Sequence, residues 1–509
     1  MERFLSSLNW KRIYTALTRL AWILFFVSLP VTSFPFFPPG IGGRTLVRPL
    51  AIYPLAVLLV LLIVPRLFRR PLPRTFLPLL AFVLIALIGS MFAFTSDLDA
   101  FRGVTPVSRL VRNLVTLGLG VSFYFTTVLL HENWDDLKFS LRWLYAGMGL
   151  ALLWGSLQIP IVIHYHPVYY RIANTLQQLV STRKLFTARI SGLTFEPKWF
   201  AEQICFLLLP WLIASVLEDR SVFPWRWRRL TVEWGLLVWS VIVLIFTFSR
   251  TGIFLLVLLV VVGFILYRRQ VHKNHPASPK PLRRRILEVS SFVLIVLAVV
   301  FVAGSQNAYF SRLWRYWTEA RSRNRSYLEF IAVEQRFVYW TTALRIFEED
   351  PWLGVGLGNY AFYFDDNLPN QPWDTNKEIV RQITPEEGRD RLITPKNLVA
   401  RLIAETGVFG TGSFLFFILA VVGCAIYLWF STQSEQKYWG LAAFLALIVF
   451  AFLIFSFDSF ALPNMWVVFG LITAAAHLPD PLSEAVGVRA DPIAAAAGLG
   501  GASTEPRLT

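Results

Sequence analysis

Cysteine is almost missing: the chain has two in 509 residues. Both, Cys205 and Cys424, fall inside apolar runs, so neither a disulfide framework nor a thiolate metal site is supported. Histidine is scarce too, with six. His131, His272, His275 and His477 are scattered, and His164 and His166 in HYHPVYY have no third ligand beside them, so no metal site is expected. There is no HExxH and no nucleophile elbow. Charged residues make up only 16% of the chain, too few for the solvated surface of a soluble fold of this length.

What the sequence holds in excess is apolar surface. Hydrophobic residues reach 55%, and mean hydropathy is +0.54. Apolar stretches near the ~17–25 residues needed to cross a bilayer as a helix recur along the whole length. They fall at 17–34, 50–64, 76–94, 114–130, 144–163, 200–216, 230–248, 253–267, 289–302, 408–430, 438–455 and 462–477. The expected fold class is all-α: a polytopic membrane protein with about twelve transmembrane helices and one large external loop containing helices. The first stretch follows Arg3, Lys11, Arg12 and Arg19 but leads into FPFFPPG instead of a small-residue cleavage site, so it is read as a retained helix.

Net charge is +16. In a soluble chain that would suggest nucleic acid, but here the basic residues cluster in three loops: Arg66 to Arg74, Arg220 to Arg229, and YRRQVHKNHPASPKPLRRR. All three share the side of the N-terminus in the span count. By the positive-inside rule both termini are then cytoplasmic, the chain sits in the cytoplasmic membrane, and no nucleic-acid partner is expected. The resulting division is spans one to nine in 1–304, a large external loop in 305–396, spans ten to twelve in 397–478, and a disordered cytoplasmic tail in 479–509.

Inside the large loop, SYLEFIAVEQRFVYWTTALRIFEEDP has Phe337, Trp340, Leu344 and Phe347 at helical spacing and Pro351 as a stop. It is expected to be a helix lying on the membrane surface or over a cavity. PWLGVGLGNY follows; with no strand before it, it reads as a tight external turn and not as a nucleotide loop.

Arg250, in IFTFSRTGIF, stands between two spans at the expected external boundary. It is either an interfacial anchor or a fixed contact for a lipid-borne phosphate, and the tightness of the hairpin favours the second. EPKWFAE at Glu196 and TPKNLVARLIAETG at Thr394 share a cap-Pro-Lys opening before an apolar helical pattern. A lysine in a first turn opposes the helix dipole unless an anion is present, so Lys198 and Lys396 are candidate anion contacts. Arg189, Arg336 and Arg345 add to an external set of cations with no obvious acidic partners, which a diphosphate would complete.

In their order, RISGLTFEPKWFAE, FSRTG, Arg336 to Trp340 before PWLGVGLGNY, and KNLVARLIAETGVFG resemble the O-antigen ligase and O-antigen polymerase superfamily of membrane glycosyltransferases. The resemblance covers 189–430 and implies a substrate: an oligosaccharide on undecaprenyl diphosphate, transferred to an acceptor glycan or glycolipid at the outer face. It implies no cofactor and no metal. Further implied partners are the lipid bilayer and other polysaccharide assembly proteins. Arg250 and Arg336 inherit diphosphate binding, stabilising charge on the leaving group. With Lys396 they form the expected catalytic set; Arg189, Glu196, Lys198, Asn397 and Glu405 are expected to bind substrate. Ligases usually carry histidine where this chain has Lys396, which favours polymerase over ligase. Bringing a lysine from about 10.4 to near 7 costs about 4–5 kcal/mol. Lys396 is therefore read as a phosphate clamp, with the base left to a carboxylate such as Glu196 or Glu405. The alternative from another class is a transporter or flippase of lipid-linked sugars, which repeated halves and cations at mid-membrane would favour.

Overall fold

Prolines and short polar caps set where helices begin in the computed structural model. It describes residues 10–37, 46–69, 72–92, 98–274 apart from 229, scattered positions in 291–308, 309–317, 327–370 apart from 332, 376–384 and 392–479. The chain is all-α: the strand pair Arg226–Trp227 and Leu230–Thr231 is the only sheet among the described residues. The first helices are α1 (Trp10–Val27), α2 (Ile52–Leu67), α3 (Phe76–Phe92), α4 (Pro106–Leu130) and α5 (Trp134–Ile163). Thr105 caps α4 by accepting from Ser108 N, with Pro106 next to it, and Asn133 caps α5 by accepting from Asp136 N. Next come α6 (Pro167–Val180), α7 (Pro197–Leu217), α8 (Val232–Phe246) and α9 (Arg250–Asn274). The longer helices that follow are α10 (Glu334–Glu349), α11 (Lys377–Ile383), α12 (Leu398–Phe430), α13 (Ser434–Leu453) and α14 (Pro463–His477), with single turns at Arg312–Arg315, Tyr327–Phe330 and Asn359–Ala361.

Among the described residues, α4, α5, α7, α9 up to Arg268, α12 and α13 are long and apolar enough to cross a membrane, and α2, α3 and α8 are shorter apolar helices. The protein is a multi-pass membrane protein. The first expected span, 17–34, lies earlier, at Trp10–Val27, because the chain leaves the helix before the proline-rich FPFFPPG. The expected span at 289–302 lies largely outside the described residues, as does the tail beyond 479.

Helix α7 is the centre of the bundle, packed by α8, α9, α13 and α14. Apolar burial drives little association where lipid is the alternative, so close steric fit holds these helices together. Aromatic pairs supply much of it, with ring centroids 5.0 Å apart for Trp211 and Trp439 (tilted), 6.0 Å for Phe206 and Phe450 (stacked) and 4.8 Å for Phe450 and Phe469 (edge-on). The helix changes to π geometry over Ile204–Leu208. Pro210 follows and brings no N–H to the ladder, which explains the widened turn.

Helix α12 is broken. Gly407 has φ 59° and ψ −162°, outside any helical region. The segment 351–356 fills the break: Val355 N donates to Ala404 O at 3.0 Å and Gly356 N to Glu405 O at 3.1 Å. Beyond the break, Val408 N donates to Pro351 O at 2.8 Å. PWLGVGLGNY is therefore a turn, as read, with Gly354, Gly356 and Gly358 all at positive φ. Its backbone satisfies carbonyls that the broken helix would otherwise orphan.

The expected helix in the large loop forms in two pieces, Tyr327–Phe330 and α10, and it ends before Pro351. Its buried face is Gln335, Val338, Tyr339, Thr342, Ala343 and Ile346, packed toward α12. The stripe of Phe337, Trp340, Leu344 and Phe347 is the outer face, with Phe337 58% exposed. Periodicity found the helix and its less buried apolar stripe; on the packed side Tyr339 donates to Glu378, while Thr342 Oγ1 is buried without a hydrogen-bond partner.

Candidate functional site

The first turns of α7 and α12 meet the α13–α14 connection at one end of the bundle, and the first turn of α9 lies against α7. On α7, Glu196 stands at the cap, Pro197 at the first helical position, and Lys198 and Glu202 follow one turn apart. The Glu196 side chain makes no cap bond; it accepts from Arg183 Nη1 at 2.8 Å. The Arg183 guanidinium is itself held over Phe186 at 4.4 Å and Phe195 at 4.8 Å. Lys198 Nζ donates to Ser456 O and lies 3.6 Å from Glu202 Oε1.

Helix α9 starts at Arg250, with Ser249 Oγ accepting from Gly252 N at 3.2 Å. Phe248 at φ 44° makes the turn that separates α8 from α9. A Cβ on Gly252 would stand 2.5 Å from Ala201 Cβ, so glycine is what lets the Arg250 turn lie against the first turns of α7. Arg250 Nη1 donates to Ile331 O at 2.8 Å, while its Nε is buried without a partner. Its guanidinium lies 5.7 Å from the Tyr309 ring, and Arg189 approaches the same ring at 3.9 Å. Two cations thus approach one aromatic ring. Burial lowers the pKa of Arg189 from its usual value, against the opposing pull of Tyr309 and Glu196.

The third group is built around Lys396. Its backbone is left-handed at φ 53°, and its amide donates to Asp458 Oδ2 at 2.7 Å. Arg336, exposed on α10, donates through Nη1 to the Lys396 carbonyl at 3.0 Å. The ammonium lies 2.8 Å from Glu378 Oε1 and 4.8 Å from the Tyr339 ring, and Tyr339 OH donates to the same carboxylate oxygen at 2.6 Å. Burial raises the Glu378 carboxyl, but Lys396, Tyr339 and Arg336 outweigh it and hold it below the usual carboxylate value.

Several expectations change here. Pro395 is not a first helical residue: α12 begins at Leu398, and Asn397 is its cap, accepting from Ala400 N at 3.1 Å. Lys396 therefore stands before the cap and turns toward Glu378. The cations do have acidic partners: Lys396 has Glu378, Lys198 has Glu202, and Arg183 has Glu196. Arg189, Arg250 and Arg336 have no carboxylate at ion-pair distance among the described residues. Glu405 lies 2% exposed against Arg401, whose Nε donates to it at 2.8 Å. Both carboxylates named as bases are thus ion-paired. Arg345 donates to Leu368 O at 2.6 Å, on the side of α10 away from Lys396.

Four residues of this cluster escaped the sequence. Glu202 is four residues after Lys198 within EPKWFAE, and that spacing was a usable signal. Asp458 is the lone acid in FSFDSF, while Glu378 and Tyr309 carry no local mark.

Residues 235–415 match a family model described as O-antigen ligase, and no curated protein matches the chain. The matched segment contains FSRTG, the Arg336 helix, PWLGVGLGNY and KNLVARLIAETG; RISGLTFEPKW precedes it. No group of three or more His, Cys, Asp and Glu suited to a metal occurs among the described residues. Over residues 235–415 the chain is therefore similar to the O-antigen ligase family.

Proposed function

We propose that the protein transfers or polymerises oligosaccharide units from undecaprenyl diphosphate onto an acceptor glycan at the outer face of the cytoplasmic membrane, as a polymerase in preference to a ligase. The observation that carries this reading is the pairing pattern at the site end. Arg250 and Arg336 donate to backbone carbonyls and have no carboxylate partner among the described residues, so their remaining N–H groups are available to a planar or tetrahedral anion. Arg189 joins Arg250 around Tyr309 and adds positive field there. A diphosphate bound by these groups becomes a better leaving group, because fixed N–H donors stabilise charge as it develops.

Lys396 takes a different part from a clamp. With its ammonium already paired to Glu378, it acts through its carbonyl, which orients Arg336. The missing ligase histidine keeps polymerisation ahead of ligation, since the Lys396 side chain is taken up by Glu378.

The test is to supply purified protein with undecaprenyl-diphosphate-linked repeat units and follow release of undecaprenyl diphosphate together with glycan length. Turnover with lengthening glycan is expected. Arg250→Ala and Arg336→Ala should each cost about 100-fold or more in kcat/KM, as for loss of a transition-state donor, with unchanged expression. Lipid translocation without turnover would sink the reading.

A further inference from the structure

The carboxylate of Glu202 is 6% exposed and has no part in diphosphate binding as described. Three elements converge on it. From its own helix, Lys198 Nζ lies 3.6 Å from Oε1. From the α13–α14 connection, Ser456 Oγ donates to the same oxygen at 2.8 Å. From α9, Gly252 lies against Ala201, the residue before Glu202, and Cys205 Sγ donates to the Gly252 carbonyl at 3.5 Å. Arg250 is two residues from that glycine, so the turn that carries a candidate diphosphate contact abuts the turn that carries the carboxylate.

Glu202 also forms part of the wall of a cleft, with Phe206, Leu453, Phe457, Leu462, Asn464 and Met465. The cleft lies where α7, α13 and α14 end at the site end of the bundle. Both polar contacts of Glu202 fall on Oε1. The π turn at Ile204–Leu208 begins just after it, a distortion found often where a helix presents a functional side chain.

The other carboxylates near the cations are held more closely: three by ion pairs at 2.8 Å, against 3.6 Å between Lys198 and Glu202, and Asp458 by a backbone amide. Glu196 is held by Arg183, Glu405 by Arg401, and Glu378 by Lys396 and Tyr339, while Asp458 accepts the Lys396 amide. We propose that Glu202 is the proton acceptor for an acceptor-sugar hydroxyl seated in this cleft. This rests on the glycosyl-transfer reading. The hydroxyl O–H bond breaks and its proton goes to Glu202. The acceptor oxygen bonds to the anomeric carbon, and the bond from that carbon to the phosphate oxygen breaks with its electron pair leaving on the diphosphate. Lys198 and Ser456 hold the carboxylate in place from the Oε1 side.

The competing account is that Glu202 only fastens Lys198 and the Ser456 segment to α7. Undecaprenyl-diphosphate-linked oligosaccharides extracted from the source cell's own membranes serve as the probe, with undecaprenyl diphosphate release and donor Kd measured for wild type, Glu202→Gln, Glu202→Asp and Glu202→Ala. Glu202→Gln is expected to lower kcat by about 10²–10⁴-fold, the span of general base catalysis, with donor Kd near wild type. Sodium azide, which attacks without a proton to lose, should raise release by Glu202→Ala at least about tenfold and yield the glycosyl azide, while leaving wild type unmoved. Should Gln and Ala fail to fold, Glu202→Asp, which keeps the ion pair and withdraws the carboxylate, still decides: a fall of about tenfold or more in kcat at constant Kd supports the assignment. A folded Glu202→Gln or Glu202→Ala with kcat within about threefold of wild type overturns it, as does a Glu202→Ala that binds donor and ignores azide, or, where neither folds, a Glu202→Asp within about threefold. Wild type that releases no undecaprenyl diphosphate overturns the transfer reading and this one with it, whereas active wild type beside active Glu202→Gln overturns this one alone.

Discussion

Lys396 and Glu378 form an ion pair at 2.8 Å that ties the residue before α12 to α11 in the large loop, with Tyr339 OH closing the triangle at 2.6 Å from the same oxygen. The pair is partly exposed, with side chains 37% and 38% accessible, so its own contribution is modest. Its pH dependence is nevertheless defined. Glu378 titrates below its usual value in the folded state. The stability it adds is then fully present above the unfolded carboxylate value, about 4.3, and is lost as pH falls through the lower folded value. Unfolding midpoints of wild type and Glu378→Gln should differ at pH 6–8 and converge as the pH falls below about 4. A constant difference down to the most acid pH would show that the carboxylate's charge is not what stabilises the contact.

Glu405 is expected to matter for folding and not for proton transfer. Arg401 and Glu405 are 4% and 2% exposed, and Arg401 reaches further to Asp458 O at 2.5 Å. Glu405→Ala strands a buried guanidinium and should cost about 3–5 kcal/mol. The double change Arg401→Met with Glu405→Leu removes both charges and should recover much of that loss. Thermal unfolding in detergent measures it; a Glu405→Ala midpoint equal to wild type would return Glu405 to the list of possible bases.

Much of this fold was legible because hydropathy and caps are local. Pro197 after Glu196 marks a helix start, and α7 begins there. FSRTG was correctly placed between two helices, with Arg250 opening the second. What stayed hidden depends on pairs far apart in sequence. Nothing near Lys396 announces Glu378 or Asp458, which reach it only through the folding of the large loop and of the α13–α14 connection. The cap register failed for a similar reason: Thr394 before Pro395 reads as the cap, and the left-handed Lys396, fixed by Asp458, moves the cap to Asn397. The buried face of α10 carries Gln335, Tyr339 and Thr342, polar residues that an apolar count does not bring forward.

The break in α12 should be intolerant of side chains on both partners. Gly407 at φ 59° has Trp352 O 2.4 Å from where a Cβ would be, and Gly354 at φ 68° has Thr406 N at 2.5 Å. Gly407→Ala and Gly354→Ala each face a backbone clash and a disfavoured conformation, a loss of about 1–3 kcal/mol or more. Gly412, in the same helix with open space around it, is the control and should accept alanine with little change. Comparing the yield of monodisperse protein and its unfolding midpoint separates the cases. Equal tolerance at positions 407 and 412 would mean that segment 351–356 does not pack into the break.

The contact between α7 and α9 offers a test of spacing at the site itself. Gly252→Ala would put a methyl 2.5 Å from Ala201 Cβ and push the Arg250 turn away from the turn carrying Lys198 and Glu202. Overpacking of this kind costs about 1–3 kcal/mol in stability, and a shift near 1 Å at a reacting centre can cost about 100-fold in rate. Ala201→Gly alone leaves a small void and should be mild. Combined with Gly252→Ala it returns the missing volume to the same gap, so the pair should recover most of the turnover that Gly252→Ala loses. The coupling is read from a double-mutant cycle on kcat, with donor Kd measured alongside to separate binding from chemistry. Additive losses would mean that the two helices do not set the separation of Arg250 from α7, and that Gly252 is required for some other reason.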